Sequence, residues 1–231
     1  KDFSTGNWLK LTLKKINEIK NRKKVPIVVG GTGLYFKALI EGLVKIPNIP
    51  IKFRNKIRKD HKNIGQKNFH KKLVKLDPLV KNKIKLTDVQ RTLRAYEVKL
   101  FTKKSIYEWF KNTRSKYKKE EFFKIYIDYP RKELLEKIYT RVIKMIKTGA
   151  EKEVKNFLKL KIGQNKTSNK VIGINEIRDF IEKKSSLSEL TEKISIKTRQ
   201  YAKRQATWAR GQMLDWQKIK PKDLSKFLKN I

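Results

Sequence analysis

The chain has 231 residues and a formal net charge of +38, from 60 Lys and Arg against 22 Asp and Glu. It contains no cysteine, which excludes disulfides and thiolate metal sites, and no run approaches the ~18 apolar residues of a membrane span. Such a charge favours a polyanionic partner, nucleic acid first. Because lysine is spread along the whole chain, a general lysine bias would give the same charge, and charge alone does not decide the function.

The chain opens on a helical pattern that is followed by a strand pattern. Residues 4–23 carry apolar side chains at helical spacing, and Ser4 is placed to cap the N-terminus. The β-branched run at 27–29 then predicts a short strand buried in a parallel sheet. Helix, strand, glycine turn and helix is the order of a doubly wound α/β fold, although such a sheet needs more strands than this stretch supplies.

A glycine-rich turn, Gly30-Gly31-Thr32-Gly33, follows the predicted strand and leads into a helical pattern that ends at Gly42. Two interpretations remain open. The glycines would let backbone N–H groups and a helix N-terminus face an anion. They would equally suit a tightly packed junction between a strand and a helix.

A two-proline connector at 46–50 predicts a domain boundary. Residues 51–120 predict short helices only, one of them capped by Asp88, and form a basic helical insertion. The aromatic and β-branched run at 122–127 predicts a second strand that returns the chain to the sheet. The predicted domains are an α/β core of residues 1–48 and 120–231 and a helical insertion of residues 49–119.

The remainder of the chain predicts mainly helices. A long helix covers 131–148 between Pro130 and Gly149, and a shorter one covers 151–160. The last long helix covers 187–211. A short terminal strand at 214–216 and a final helix capped by Asp223 complete the pattern.

Two groups of side chains carry candidate chemistry in the middle of the chain. Gln90, Arg91 and Arg94 lie on one side of a predicted helix, where guanidinium forks and an amide suit phosphate oxygens and base edges. A solvated basic face would have the same pattern. Arg141 lies in an apolar helical run, where an arginine is normally paired with an acid or bound to an anionic ligand.

The densest signal lies in residues 198–210, which combine positive charge, amide, hydroxyl and aromatic side chains within a few helical turns. Single-stranded RNA is bound in this way, with cations on the backbone and flat groups under the bases. A buried Trp208 with solvated flanking residues is the alternative. The sequence has no Gly-x-x-x-x-Gly-Lys-Ser/Thr loop and no metal-ligand spacing, and His61 and His70 are predicted to be surface residues.

Taken together, these stretches resemble the tRNA dimethylallyltransferases, also called tRNA isopentenyltransferases. The matching motifs follow one another over nearly the whole chain, at 26–42, 77–78, 88–98, Arg141 and 198–211. The resemblance implies a P-loop-NTPase-like parallel-sheet core with an inserted helical domain that closes over the anticodon arm of tRNA. It also implies transfer of a dimethylallyl group from dimethylallyl diphosphate to N6 of the adenosine 3′ of the anticodon.

The resemblance assigns site residues by their motifs. Arg141 would stabilise the diphosphate, and Thr32 would lie beside the flipped adenine near Gly30 and Gly31 as part of the catalytic site. Residues with an implied tRNA contact are Gly30, Gly31, Thr32, Arg54, Gln90, Arg91, Thr92, Leu93, Arg94, Lys170, Gly173, Asn175, Lys203, Arg204, Gln205, Thr207, Trp208 and Arg210. Mg²⁺ and nucleotide (ATP) binding are further expectations from the family, with the Mg²⁺ ligands not in this chain. The lack of cysteine fits a reducing cytoplasm, and we expect a monomer that does not bind a membrane.

Three departures from the family pattern affect these expectations. The family's usual Gly-Tyr turn is Gly173-Ile174 in this chain. The family's His-Pro-Asn before the Gln-Arg helix is replaced by Lys85-Leu86-Thr87. The opening segment with the P-loop and an Asp general base is absent, so we expect an N-terminally truncated member that binds tRNA with little or no transfer. A non-catalytic basic RNA-binding module and a P-loop-type small-molecule kinase relative are the alternatives.

Overall fold

The structure of the chain is a computed structural model, which describes residues 3–163 and 166–229. Residues 164 and 165, inside the loop predicted between two helices, lie outside the described residues. Most of the described chain is helical. In chain order the helices and strands are α1 Thr5–Asn21, α2 Gly33–Glu41, α3 Ile51–Leu76, α4 Val89–Thr102, α5 Ile106–Phe110, β1 Ile125–Ile127, α6 Arg131–Met145, α7 Glu151–Lys159, α8 Ile174–Ile181, α9 Leu187–Gln212, β2 Gln217–Ile219 and α10 Leu224–Leu228.

The chain divides into two compact units. Unit 1 consists of Lys1–Phe36 and Phe122–Ile231, and unit 2 consists of Lys37–Glu121. Unit 2 holds α3, α4 and α5, and unit 1 holds the strands and the remaining helices except α2, which begins in unit 1 and ends in unit 2. The predicted division into a core and a tRNA-binding insertion stays a prediction.

Unit 1 contains a small parallel sheet. β1 pairs with β2, with Ile125 opposite Gln217 and Ile127 opposite Ile219. The predicted strand at 122–127 is therefore confirmed over its last three residues. The terminal strand begins just after the 214–216 stretch predicted for it, so that position was wrong. The parallel pairing and the surrounding helices agree with the coarse prediction of an α/β fold.

The prediction of a buried strand at 27–29 was wrong. These residues form no strand, and Val25, Ile27 and Val29 are 84%, 81% and 89% exposed. A strand exists only where its backbone groups pair with a neighbour, and β1 and β2 pair with each other. Within the described residues no strand borders 27–29, so the β-branched side chains remain in an extended, solvent-facing segment.

Capping residues, proline and glycine in the sequence predicted most helix ends correctly. The Ser4 hydroxyl accepts the Asn7 backbone N–H at 3.2 Å, and the Asp88 carboxylate accepts that of Arg91 at 3.0 Å. α6 begins directly after Pro130. It ends at Met145, before the predicted end, because a π-helical turn around Gly149 interrupts the helix. Asp223 precedes α10, but its side chain makes no capping hydrogen bond.

Each unit has its own hydrophobic core. In unit 1, the buried residues come from α6, α7, α8, α9 and the π-helical turn between α6 and α7, and they are Val142, Ala150, Val154, Ile177, Leu190 and Ile194. In unit 2, the buried core is formed mainly by α3 and α4, including Ile57, Phe69, Leu73, Ala95, Tyr96 and Val98. α3 is kinked at Gly65, where φ is 74°. Two packed helical segments of α3 therefore support α4.

The two histidines, which were predicted to be surface residues, are half-buried. His61 is half-buried, donates to Gln66 Oε1 at 2.8 Å and packs edge-on against Phe69. His70 is half-buried and donates from Nε2 to the Ile84 carbonyl at 3.0 Å. His61 thus joins the two segments of α3 on either side of the kink at Gly65, and His70 ties α3 to the loop at Ile84. None of the helices in the described part of the chain combines the length and the apolar character that a membrane span needs.

Candidate nucleic-acid interface

The C-terminal half of α9 presents the predicted cationic face of unit 1. Lys203, Thr207 and Arg210 recur at helical spacing and are all exposed. Arg210 Nη2 donates to Thr207 Oγ1 at 3.4 Å. The exposed Arg204 guanidinium lies 5.6 Å from the ring centroid of Tyr201. This face therefore offers guanidinium, ammonium, hydroxyl and aromatic groups to solvent along one stretch of helix.

The glycine turn packs directly against α9. Gln205 Nε2 donates to the Gly31 carbonyl at 2.9 Å, and a Cβ on Gly31 would lie 2.2 Å from that nitrogen. A Cβ on Gly33 would lie 2.1 Å from Trp208 Cε3. Close approach to the Trp208 ring therefore requires glycine at position 33, whereas at position 31 the end of the flexible Gln205 side chain could shift. The packed-junction interpretation is supported at both positions and most strongly at Gly33.

This packing brings Thr32 to the surface formed by α9. Thr32 lies between the two glycines that contact Gln205 and Trp208, and its carbonyl accepts the Tyr35 backbone N–H at 2.9 Å at the start of α2. The Gln205 amide nitrogen and one face of the half-buried Trp208 are occupied by the turn. Thr32 and α9, predicted from distant motifs, therefore belong to one surface of unit 1.

Arg141 lies on the exposed side of α6, next to Val142, which is buried in the unit 1 core. Within residues 3–163 and 166–229 its guanidinium makes no hydrogen bond or ion pair that would satisfy it. The structural ion pair considered for this arginine is therefore not observed among the described residues. The guanidinium is available to bind an anion.

The turn before α8 is held by a buried carboxylate. Gly173 has φ of 106°, a conformation that favours glycine, and its N–H donates to Glu176 Oε2 at 2.8 Å. Glu176 also forms an ion pair with Lys197 of α9. Asn175 donates to the Asn169 carbonyl at 3.4 Å, and Lys170 is exposed beside it. Glu176 thereby fixes the predicted contacts of this turn relative to α9.

Burial pushes the pKa of the Glu176 carboxyl upwards, but the Lys197 ammonium and the N–H groups of Gly173 and Glu176 outweigh it. The net result is a pKa below the ordinary value of 4.5. A lowered folded-state pKa means that this carboxylate stabilises the fold above the unfolded-state pKa, and that the stabilisation is lost as the pH falls through the folded-state value.

We expect the stability of unit 1 to change less with pH in Glu176→Gln than in the wild type. The difference in the urea unfolding midpoint between the wild type and this variant should be largest at pH 7, and should shrink as the pH falls below the ordinary carboxyl pKa of 4.5. Glu192→Gln, which neutralises an exposed carboxylate of α9, is the control. A constant difference between wild type and Glu176→Gln at all pH values would contradict the expectation.

In unit 2, the N-terminus of α4 borders an open basic groove. Gln90 and Arg91 are exposed, and the Arg91 guanidinium lies 3.3 Å from the Asp88 carboxylate that caps the helix. The groove has a volume of about 500 Å³ and is lined by Lys83, Lys85, Thr87, Asp88, Val89, Gln90 and Arg91. These side chains form a second cationic surface with an amide and a hydroxyl group.

Two residues of the predicted 90–94 contact segment face inward instead. Thr92 is fully buried, donates its hydroxyl to the Asp88 carbonyl at 2.7 Å and accepts from Gln66 Nε2 at 3.2 Å. Leu93 packs against the unit 2 core. A direct contact through the Thr92 side chain does not fit this position, because both of its hydrogen-bonding roles serve the packing of α4.

Arg54 and Arg94 meet at a buried carboxylate that sequence reasoning missed. Arg54 Nε lies 3.3 Å from Glu97 Oε2, and Arg94 Nη1 lies 3.7 Å from the same oxygen. Arg58 Nε lies 3.8 Å from Glu97 Oε1. The i,i+4 spacing of Arg54 and Arg58 and the i,i+3 spacing of Arg94 and Glu97 were the available signal.

Comparisons with known proteins agree with these motifs. A sequence model of the IPP transferase family matches residues 1–212 of the chain. The chain belongs to the IPP transferase family. This member is 54% identical over 229 residues to the tRNA dimethylallyltransferase of Pelagibacter ubique (strain HTCC1062), covering 99% of the chain and 73% of that relative. It is 40% identical over 213 residues to the tRNA dimethylallyltransferase of Rickettsia bellii (strain OSU 85-389), covering 92% and 67%.

Solved structures of similar proteins match the fold of this IPP transferase family member. The full-length tRNA isopentenylpyrophosphate transferase of Bacillus halodurans matches with a TM-score of 0.60 and 27% identity, over 95% of this chain and 68% of that one. A eukaryotic dimethylallyltransferase acting on tRNA matches with a TM-score of 0.79 and 25% identity, over 98% and 59%. The resemblance inferred from the motifs is therefore confirmed at the level of the family.

Proposed function

We propose that this family member is a tRNA dimethylallyltransferase, which transfers a dimethylallyl group from dimethylallyl diphosphate to N6 of the adenosine 3′ of the anticodon. The observation that carries the proposal is the packing of the glycine turn on α9, with Gln205 on Gly31 and Trp208 against Gly33. This packing brings Thr32 beside a helix face rich in Lys and Arg. The names of the similar proteins, tRNA dimethylallyltransferases among them, support the same activity.

The transfer forms one bond and breaks another. The N6 lone pair of adenosine attacks the allylic carbon, the bond from that carbon to the diphosphate oxygen breaks, and pyrophosphate leaves with the electron pair. N6 releases one proton to a base. The leaving group gains negative charge in the transition state, and the free Arg141 guanidinium is the group that we assign to stabilise it. Lys203, Arg204 and Arg210 would bind the RNA backbone.

The remaining expectations from the family are also part of the proposal. These are the P-loop-type organisation of the core, the binding of dimethylallyl diphosphate, a monomeric state and a cytoplasmic location. For Mg²⁺, the described residues contain no group of three or more His, Asp and Glu side chains that could hold a metal ion. No step of the transfer is assigned to Mg²⁺.

A non-catalytic RNA-binding module is the second candidate. The observation in its favour is that the cationic groups of α9 and α4 are exposed and suited to RNA, whereas Arg141 is the only side chain that we assign to the diphosphate. Such a module would bind tRNA with a steep dependence on salt concentration and with little preference for the anticodon arm.

The deciding experiment measures transfer from labelled dimethylallyl diphosphate to an anticodon stem-loop, both by this chain and by a chimaera in which this chain replaces the matching part of the Pelagibacter ubique relative. The acceptor carries adenosine directly 3′ of the anticodon, and a stem-loop with guanosine at that position is the matched control. The Pelagibacter ubique relative serves as the positive control. Label on the adenosine stem-loop alone would support the transferase. Tight binding of both stem-loops by this chain and by the chimaera, with label from neither protein, would favour the module, and no binding at all would contradict both candidates.

A further inference from the structure

We propose that Arg54, Arg58 and Arg94 form a single binding site for a phosphate group of the RNA backbone, and that Glu97 is the positioning residue that gathers them. The inference rests on the proposed function in one respect, because RNA is taken as the ligand. It gives a role to Arg58 and Glu97, for which the family motifs implied none. It also joins Arg54 and Arg94, which were predicted as separate tRNA contacts, in one site.

The geometry places one carboxylate beneath three guanidinium groups. The Glu97 side chain is 2% exposed, whereas those of Arg54, Arg58 and Arg94 are 35%, 50% and 41% exposed. Arg54 and Arg58 lie one turn apart on α3, and Arg94 lies on α4 next to it. The three cations therefore converge from two helices on a point at the surface of unit 2, with the carboxylate on the inner side.

The charges in this cluster do not cancel. Three guanidinium groups and one carboxylate leave a net charge of +2, from +3 and −1. One arginine would suffice to neutralise Glu97, so the other two charges remain available to an anion. Guanidinium groups bind phosphate oxygens through paired N–H donors, and the half-exposed heads can reach such a ligand.

The contacts also leave most donors free for a ligand. Only the Arg54 contact is a hydrogen bond, at 3.3 Å, whereas the 3.8 and 3.7 Å contacts of Arg58 and Arg94 are ion pairs without one. Glu97 thus holds the guanidinium groups near each other against their mutual repulsion without consuming their donors. A carboxylate that only fastened α3 to α4 would not need three cations.

Removing the negative charge of Glu97 should change RNA affinity in opposite directions for the two roles that this residue could have, which are positioning the arginines and contributing to the overall charge. Glu97→Gln raises the net charge by one, and on long-range attraction alone it should strengthen RNA binding. If Glu97 positions the three arginines, the same change should weaken binding several-fold and lower the slope of log K against log salt concentration. Glu120→Gln makes the same charge change at an exposed position of unit 2 and should leave affinity unchanged or slightly higher.

The experiment measures affinity of the full chain for the anticodon stem-loop from 50 to 200 mM salt, with urea unfolding to verify the fold of each variant. Arg58→Gln should weaken binding about tenfold, as expected for one charge-assisted contact, and reduce the salt slope by about 1. Arg58 is half-exposed, so this variant keeps the test valid if Glu97→Gln destabilises unit 2.

Two outcomes would overturn the inference: Arg58→Gln with unchanged affinity and slope, or a folded Glu97→Gln that binds as tightly as Glu120→Gln. A wild-type chain that does not bind the stem-loop would instead overturn the proposed function. The two failures are therefore distinguishable in one series of measurements.

Discussion

Replacing Gly33 by alanine is expected to destabilise unit 1 by about 1–3 kcal/mol, the usual cost of overpacking, and to weaken stem-loop binding. The new Cβ would lie 2.1 and 2.3 Å from Trp208 Cε3 and Cζ3, so the indole or the turn must move. Gly33 is the first residue of α2, where helix propensity alone would favour alanine. Packing therefore predicts that alanine lowers the stability of unit 1, whereas helix propensity alone predicts that it raises it. Urea unfolding followed by far-UV circular dichroism measures the change.

Two other glycines provide matched controls. A Cβ on Gly30 would meet only Phe36 ring atoms, the nearest at 3.8 Å, and one on Gly211 would meet nothing within 4 Å. Gly30→Ala should change stability by less than about 0.5 kcal/mol. Gly211→Ala, near the end of α9, should be neutral or stabilising by up to about 1 kcal/mol. A Gly33→Ala chain that unfolds at the same urea concentration as Gly30→Ala would contradict the packing argument.

In a chimaera in which this chain replaces the matching part of the Pelagibacter ubique relative, Arg141→Gln is expected to reduce the rate of dimethylallyl transfer by about 10²–10³-fold, the typical effect of removing one group that stabilises a developing charge. Its guanidinium is exposed, so the fold and the affinity for tRNA should be nearly unchanged. A second measurement, the binding of inorganic pyrophosphate by calorimetry, tests the same assignment without relying on turnover. We expect that binding to be lost as well.

Lys144→Gln is the matched control for Arg141→Gln. Lys144 is an exposed cation one turn further along α6, so its removal changes the net charge equally. It should leave both the transfer rate and pyrophosphate binding close to those of the wild type. Equal losses of transfer rate and stem-loop affinity in Arg141→Gln would show that this arginine does not act on the diphosphate.

Some features of the site could be anticipated from local sequence and others could not. Residues 198–210 were found because a helix face depends only on spacing along the chain, and α9 indeed exposes Lys203, Thr207 and Arg210. Spacing could not show that Thr92, next to the exposed Gln90 and Arg91, points into the core, because that depends on how α4 lies on α3. Arg58 and Glu97 were missed for the same reason.

The sequence by itself determined the family, the two groups of cationic motifs and most helix ends. Capping by Ser4 and Asp88 and the start of α6 after Pro130 are interactions within a few residues, so the chain carries them wherever it folds. Only the tertiary structure showed that residues 27–29 form no strand, because a strand needs a neighbouring strand to pair with. It also decided that Gly33 makes room for Trp208, since close approach joins residues that are distant in sequence.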